Sequence, residues 1–344
     1  MEVTSVAITG VSGRTGQRLL RLLDADKSVD RIVGLDLREP AFRPKGLDFH
    51  AVDIGSADLK PLLEGVDVLV HLAFLFEPLP DEAVMVRVNI DGTRRVLDAA
   101  AATGVTKVVH VSSAFAYGAR AGNPIPLTED AALKPNDAFL FAAHKAETER
   151  LLVEWADGHP GVVTTVLRPA LLLGGGTPAA LRSLVRGRFP VRVRDAAPEV
   201  QFLHVDDLAS ALAFALDHDL AGAYNVAPDG WLSHEDATAL AGWVPRVAVS
   251  ADVADRLARR LWTAGIGDLP PGMVPLLVHP CVVANDRLRA AGWAPRHTNE
   301  EALLACVDEE GGAGGRKGLA VGAAVAGGVV AGALAWALLR KRRS

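Results

Sequence analysis

The sequence predicts an α/β fold built on a doubly wound parallel sheet, and two observations support that fold class. Over the first 170 residues, short apolar segments alternate with segments of helical periodicity, which is the pattern of successive βαβ units. The strand candidates are also apolar along most of their length, as in VDVLVHLA at 66–73. Such strands are expected where helices cover both faces of a sheet.

The elements of this core follow one another in a regular order. Each strand candidate is short and rich in aliphatic residues, and each helix candidate has apolar residues at spacings of three and four. The predicted strands are Ser5–Thr9, Arg31–Asp36, Val66–Leu72, Lys107–Ser112 and Val162–Leu167, and the predicted helices are Gln17–Leu23, Met85–Ala102 and Ala142–Trp155.

Beyond Pro169 the pattern loosens, because glycines and prolines interrupt it. The sequence therefore predicts a core domain followed by a smaller lobe that partly returns to the core, and then a linker and a tail. The predicted regions are a core at 1–170, a substrate-binding lobe at 171–307 interleaved with the core through 202–228, a linker at 308–317, a hydrophobic helix at 318–339 and a basic tail at 340–344.

The charge distribution argues against a nucleic-acid partner. The chain has 36 Lys and Arg and 41 Asp and Glu, for a net charge of −5. Residues 316–344 contain six basic residues and no acidic one, so the remainder has 30 basic against 41 acidic residues, a net charge of −11. Nucleic-acid binding depends on neutralising phosphates with basic side chains. A basic end beside an apolar segment instead favours anionic lipid.

The cysteine content argues against a disulfide framework and a cysteine-bound metal. Cys281 and Cys306 are too few for a disulfide framework or a four-cysteine zinc site. No metal is therefore predicted, and both cysteines are expected to pack as small apolar residues.

Residues 5–11 are apolar but lead into a glycine-rich turn, so no signal peptide is predicted and the body is expected in the cytoplasm.

A glycine loop predicts a dinucleotide site. Gly10, Gly13 and Gly16 directly follow the first strand and precede a helix. In that context the glycines allow a tight turn, and the free N–H groups at the helix N-terminus bind a pyrophosphate.

The end of the second strand predicts which dinucleotide binds. Asp36 lies 20 residues after Gly16, where a carboxylate accepts hydrogen bonds from the adenosine ribose and repels a 2′-phosphate, which favours NAD. Arg14 and Arg38 leave NADP open, because a nearby arginine can bind that phosphate.

Eight motifs occur in order along residues 5–305. They are TGVSGRTG at 9–16, VDI at 52–54, HLA at 71–73, VNIDGTRRVLDAA at 88–100, VSSAFAYG at 111–118, LRPALLLGGG at 167–176, FLHVDDLASAL at 202–212 and RLRAAGWAPRHTNEEAL at 287–303. Together they resemble the motifs of the extended short-chain dehydrogenase/reductases, in the NAD-dependent epimerase/dehydratase group. The resemblance implies a Rossmann-type sheet with a smaller C-terminal substrate lobe and NAD as cofactor.

The resemblance also implies a set of cofactor-binding residues. They belong to the glycine loop, to the segments that follow the next three strands, and to the active-site end of the core. The set is Gly10, Ser12, Gly13, Arg14, Thr15, Gly16, Asp36, Arg38, Asp53, Ile54, Leu72, Ala73, Lys145 and Pro169.

The catalytic residues that the resemblance implies are incomplete. In the family a Tyr takes the substrate's hydroxyl proton, a Lys four residues later lowers the pKa of that Tyr and holds the nicotinamide ribose, and a Ser hydrogen-bonds the same hydroxyl. Ser113 and Lys145 match this pattern, but Phe141 stands at the Tyr position. The two tyrosines of the chain, Tyr117 and Tyr224, do not align with the motif. A Phe ring has no hydroxyl and cannot take a proton.

Other positions bear on what replaces the Tyr. His144 is a candidate base because an imidazole titrates near neutral pH, although a solvent-facing helical His is the simpler interpretation. Asn89 resembles a family residue that hydrogen-bonds backbone near the site. Ala114 and Phe115 stand where the family's sugar-nucleotide dehydratases have an Asp-Glu pair, so no acid–base pair for removing water is predicted.

The segment at 318–339 is a predicted transmembrane helix. It has 22 uncharged residues, enough to cross about 30 Å of hydrocarbon, and its GxxxG pairs allow close helix packing in lipid. We expect the cytoplasmic body to be anchored to the inner face of the cell membrane. A simple span would export Arg340–Arg343, against the positive-inside tendency, so the topology stays open.

Two functions remain open from the sequence. The first is an NAD(P)-dependent oxidoreductase or epimerase-type enzyme that acts on an alcohol or ketone carbon of a small molecule. A membrane anchor would favour a lipophilic substrate. The second is a non-catalytic dinucleotide-binding protein at the membrane, a sensor or assembly partner, which Phe141 favours. The oligomeric state, a homodimer included, is left open.

Overall fold

A computed structural model describes residues 5–26, 28–77, 79, 81–185, 191–242, 246–265, 269–270 and 272–308. They contain strands and helices in the predicted alternation, with one difference: a strand at Leu47–Ala51, which the sequence did not predict, follows the second strand with no helix between them. The strands are β1 (Ser5–Thr9), β2 (Arg31–Asp36), β3 (Leu47–Ala51), β4 (Val68–His71), β5 (Lys107–Val111), β6 (Val163–Pro169), β7 (Leu171–Leu173), β8 (Val191–Val193), β9 (Phe202–His204), β10 (Gly222–Val226) and β11 (Val247–Val249).

The helices connect these strands. They are α1 (Arg14–Ala25), α2 (Glu82–Val86), α3 (Gly92–Thr103), α4 (Leu140–Gly158), α5 (Ala179–Val185), α6 (Val205–Asp217), α7 (His234–Ala241), α8 (Ala251–Thr263), α9 (Asp286–Ala290) and α10 (Asn299–Asp308).

Seven of the strands form one parallel sheet, which confirms the predicted fold class. Their order is β10-β6-β5-β4-β1-β2-β3. The chain therefore builds outward in one direction from β1 through β2 and β3, and then in the other direction from β4. Ligands of such sheets bind beyond the carboxyl ends of the strands where the order reverses, which here is the end of β1 beside β4.

Alternation along the strands creates a buried layer on each face of the sheet. Val6 and Ile8 of β1 belong to a cluster that contains leucines of α1 and α6. Ala7, between them, belongs to a second cluster that contains residues of α3 and α4. Because neighbouring side chains of a strand point to opposite faces, the three residues cover both sides, as a doubly wound sheet requires.

The helix predicted at Met85–Ala102 has a local change of winding. The segment Arg87–Asp91, between α2 and α3, is a π-helical turn. Such single wide turns are frequent at functional sites. This one contains the buried Asn89, whose Oδ1 accepts a hydrogen bond from the Leu75 backbone N–H (2.7 Å) and whose Nδ2 donates to the Leu75 carbonyl (3.1 Å). Asn89 thereby fixes the chain that leaves β4.

The smaller lobe is built from two-stranded pairings and short helices. β7 pairs with β9 and β8 with β11, all in parallel. Between these segments the chain returns to the core, because α6 packs on α1 and β10 is the edge strand of the main sheet beside β6.

The predicted linker and tail fall largely outside the described residues. Asp308 ends α10 and belongs to a helix rather than to the linker. The segments 309–317, 318–339 and 340–344 are not described, and among the described residues no helix is long and apolar enough to cross a bilayer. Membrane attachment and a location at the inner face of the membrane stay predictions.

Candidate active site

The glycine loop packs directly against the end of β4. Gly10 has a φ of +69°, and a Cβ there would lie 2.7 Å from the Ala73 backbone nitrogen. A Cβ on Gly16 would lie 2.5 Å from the Val11 carbonyl oxygen. Only glycine fits either position. The loop leads into α1, whose N-terminus has no side-chain cap, so first-turn N–H groups are available for the phosphates of a dinucleotide.

Asp36 lies at the tip of β2 beside this loop. Its carboxylate accepts hydrogen bonds from the backbone N–H groups of Ser12 (3.0 Å), Leu37 (2.7 Å) and Arg38 (3.3 Å). The Ser12 hydroxyl donates to the Arg38 carbonyl. Arg14 donates to the Leu172 carbonyl of β7 at 3.0 Å, which commits one of its donors away from Asp36. Three backbone N–H groups thus hold the Asp36 carboxylate in place beside the glycine loop, as expected of a carboxylate that repels a 2′-phosphate.

Asp36 is therefore expected to determine the choice between NAD and NADP. In Asp36→Asn, one oxygen still accepts from Ser12 while the charge is lost, so NAD binding should weaken by about tenfold and discrimination against NADP should fall. Calorimetric titration of the full chain with both dinucleotides measures this. Asp24→Asn, at an exposed position of α1, is the charge-matched control. Tighter binding of NADP than NAD by the unmodified protein would contradict the assignment.

Asp53 and Ile54 lie in the next loop, and neither lines the cavity formed by the glycine loop and Lys145. The Asp53 carboxylate accepts hydrogen bonds from Arg87 (2.6 Å) and from the Gly55 N–H (2.8 Å). The Arg87 hydrogen bond holds the pKa of Asp53 below its usual range. Ile54 is buried against Gly92. Their role at the adenine stays a prediction.

A cavity of about 240 Å³ brings most of the predicted site residues together. The glycine loop forms one side, and the ends of β4, β5 and β6 with one turn of α4 form the others. Its lining includes Gly10, Gly13, Arg14, Thr15, Gly16, Leu72, Phe74, Phe76, Ser112, Ser113, Phe115, Phe141, Lys145, Pro169, Leu171, Leu172, Leu181 and Leu208.

Lys145 enters this cavity from α4 and is almost completely buried, with 4% of its surface exposed. Its Nζ donates to the Val111 carbonyl at 2.6 Å and lies 3.4 Å from the centroid of the Phe74 ring. Burial lowers the pKa of Lys145 to about 7, more than the nearby Glu149 raises it. The amine is therefore poised to gain or lose a proton near neutral pH.

Ser113 follows β5 and caps a short 3₁₀ turn at Ala114–Tyr117. Its Oγ accepts a hydrogen bond from the Phe115 N–H at 3.2 Å. Because the oxygen accepts there, the hydroxyl hydrogen remains available to donate into the cavity. Ser113 can therefore polarise a carbonyl oxygen or hold a hydroxyl group.

Comparison with known proteins agrees with this geometry. The family model described as the NAD dependent epimerase/dehydratase family matches residues 6–227. The chain belongs to this family. NAD is therefore its cofactor, and the glycine loop and the Asp36 carboxylate fit that dinucleotide.

Two curated relatives are reductases. The chain is 30% identical to the 3-diazoavenalumate denitrifying reductase of a Streptomyces species, over 83% of this chain and 89% of that protein. It is 28% identical to the 4-hydroxy-2-methyl-3-oxo-4-farnesyl-3,4-dihydroquinoline-1-oxide ketoreductase of Stigmatella aurantiaca, over 86% of this chain and 93% of that protein.

Solved structures share the fold at lower identity. MoeE5 in complex with UDP-glucuronic acid and NAD superposes with a TM-score of 0.69 at 21% identity, over 88% of this chain and 98% of that one. The UDP-glucose 4-epimerase of Thermus thermophilus, in complex with NAD, gives a TM-score of 0.68 at 21% identity, over 90% of this chain and 100% of that one.

This member of the epimerase/dehydratase family has no phenol at the position implied for it. Phe141 lines the cavity and lies edge-on to Phe76, with ring centroids 4.8 Å apart. Tyr117 is buried away from the cavity, where its hydroxyl donates to Asn225 Oδ1 (2.9 Å) and accepts from Arg168 (2.7 Å). Burial raises the pKa of Tyr117 to about 12. Neither Tyr117 nor Tyr224 lines the cavity.

His144 is the candidate that the sequence offers for the missing base. It is one residue from Lys145 on α4, but it lies outside the cavity lining, with its Nδ1 3.3 Å from Asn89 Nδ2. Residues one apart on a helix point in different directions, so Lys145 and His144 cannot share one face. His144 therefore does not line this cavity with Lys145, and its role as a base stays a prediction.

A buried polar network lies next to the cavity, which its member Ser112 lines. The sequence motifs did not indicate that its residues contact one another. Arg168 of β6 forms a buried ion pair with Glu149 of α4 at 2.7 Å, and Ser112 donates to the same carboxylate. Arg168 also donates to the Glu129 carbonyl at 3.0 Å. The signal available in the sequence was a Glu, Glu149, one helical turn after Lys145.

Proposed function

We propose that this protein is an NAD(H)-dependent oxidoreductase that interconverts a ketone and an alcohol at one carbon of a small apolar substrate. The observation that supports it most directly is that Ser113 and Lys145 line the same cavity as the glycine loop. A hydroxyl donor and a titratable amine therefore meet where the reactive end of the cofactor is expected.

The cavity wall supports an apolar substrate. Phe74, Phe76, Phe115 and Phe141 all line it, and Phe74 and Phe76 each lie edge-on to Phe141. Among the described lining residues there is no carboxylate and no amide side chain. Sugar hydroxyls would lose hydrogen bonds in such a place, whereas an aromatic or aliphatic ketone would gain apolar contact.

The neighbourhood of Ser113 favours redox chemistry alone over elimination of water. The two residues after Ser113 are the buried Ala114 and Phe115, which can neither give nor take a proton. When bound, the cofactor would supply or accept the hydride, and Ser113 would donate a hydrogen bond from its hydroxyl to the substrate oxygen.

Removing Ser113 is the direct test. With the full chain, NADH and acetophenone or 2-decanone as probes, Ser113→Ala should lower kcat by about 10²–10³-fold, the cost of losing one oxygen-stabilising donor. NADH affinity, measured by calorimetry, should stay within about twofold. Ser210→Ala, whose hydroxyl contacts Trp293 outside the site, is the matched control. Equal activity in Ser113→Ala and the unmodified protein would overturn the proposed role.

A second candidate is a dinucleotide-binding protein without turnover, which the phenylalanine at position 141 favours. It is distinguished by the same assay: tight NAD(H) binding, with no oxidation of NADH by any aryl or alkyl ketone and no reduction of NAD by the matching alcohols, supports this candidate instead.

A further inference from the structure

The reaction proposed above needs a group that gives the substrate oxygen a proton, and few side chains in the cavity can do so. Among the described lining residues, Arg14 and Lys145 are the basic ones, and no acid lines the cavity. A guanidinium does not give up its proton in proteins. Ser113 can donate a hydrogen bond, but an aliphatic hydroxyl is too weak an acid to supply a proton at neutral pH.

Lys145 lines the same cavity as Phe141, the residue at the tyrosine position. Its Nζ is 5.7 Å from the centroid of the Phe141 ring and 3.4 Å from that of Phe74. It donates to the carbonyl of Val111, two residues before Ser113 on the same strand end. Lys145 on α4 and Ser113, which follows β5, therefore line the same cavity.

Charged neighbours do not hold Lys145 permanently protonated, although the Phe74 ring 3.4 Å from its Nζ favours the ammonium form. Glu149 is one helical turn away, but its carboxylate is committed to Arg168 and Ser112. Burial lowers the pKa of His71 to about 3 and that of His110 well below its usual range, so both imidazoles are neutral and add no charge. Within the described part of the chain no carboxylate pairs directly with Lys145, and burial in a site of low dielectric favours its neutral form.

We propose that Lys145 itself exchanges a proton with the substrate oxygen, replacing the tyrosine that Phe141 displaces. The inference deepens the proposed oxidoreductase function and rests on it. It adds to, and does not exclude, contact between Lys145 and the cofactor ribose.

In the reducing direction the carbonyl carbon receives the hydride, its C=O π bond breaks toward oxygen, and that oxygen takes a proton from the Lys145 ammonium. The products are the alcohol, the oxidised cofactor and neutral lysine, which takes a proton from water. In the oxidising direction neutral Lys145 accepts the hydroxyl proton as the hydride leaves the carbon.

The titration of Lys145 tests the proposal without any knowledge of the natural substrate. Competitive acetylation of the full chain from pH 5 to 11, read by mass spectrometry, gives the apparent pKa of Lys145 relative to the exposed reference Lys60. An apparent pKa near 7 is expected. A value near 10 overturns the proposal whatever the enzyme turns over.

Activity measurements supply the second arm. With saturating NADH and acetophenone or 2-decanone, Lys145→Ala should lower kcat by about 100-fold or more, and added ethylamine should restore activity in proportion to its ammonium form. A variant that loses only NADH affinity, with kcat unchanged, shows that Lys145 only holds the cofactor and overturns the proposal. If Lys145 titrates near 7 but no ketone is turned over by the unmodified protein, it is the proposed function that fails.

Discussion

Replacing Glu149 with alanine is expected to lower the free energy of unfolding by about 3–5 kcal/mol, the usual cost of leaving a buried charge without its partner. The Arg168 guanidinium would remain in the interior, where the Tyr117 hydroxyl and one carbonyl cannot neutralise it. Ser112 would lose its acceptor as well. Urea unfolding followed by tryptophan fluorescence measures the loss.

Glu147 provides a control on the same helix. It also pairs with an arginine, Arg150, at 2.6 Å, but its side chain is 40% exposed. Glu147→Ala removes the same charge and should cost no more than about 1 kcal/mol, because water solvates the partner that is left. Equal losses in the two variants would show that the Glu149–Arg168 pair does not stabilise the fold more than a surface pair does.

The core of the fold was predictable because its signal is local. Each parallel strand is short and apolar, and β1, β2 and β6 lie within about two residues of their predicted bounds. The correction inside the helix predicted at 85–102 depends instead on tertiary packing. The π-helical turn contains Asn89, which accepts a hydrogen bond from the Leu75 backbone N–H. The spacing of apolar residues does not predict such a turn.

The sequence predicted which residues line the site better than it predicted the protonation state and the apolar surroundings of those residues. Ser113, Lys145 and the glycine loop were identified from motifs, and the structure places all of them around one cavity. The aromatic wall was not, because Phe74 and Phe76 follow β4 in an irregular segment without periodicity. The protonation state of Lys145 could not be inferred either, since burial in the folded chain is what lowers its pKa.

Restoring the missing phenol is expected to change the pH dependence of the enzyme. If Lys145 supplies the proton for reduction, the rate requires its ammonium form, which is present below pH 7 and is lost as the pH rises through about 7. The Phe141 ring already lines the cavity, so Phe141→Tyr adds one hydroxyl beside Lys145. A phenol with a pKa of about 10 stays protonated where neutral Lys145 has stopped donating.

The size of the effect follows from the two titrations. At pH 9 about 1% of an amine with a pKa of about 7 is protonated, so reduction of acetophenone by Phe141→Tyr should exceed that by the unmodified protein by up to about 100-fold, with little difference at pH 6. Phe76→Tyr adds a hydroxyl elsewhere in the same cavity and should leave the pH profile unchanged. A parallel gain at every pH would mean that proton transfer from Lys145 does not limit the rate. A loss at every pH would mean that the added oxygen occupies space that the substrate needs. The Phe141 ring would then serve as part of the substrate-binding surface, and position 141 would not accommodate an acid.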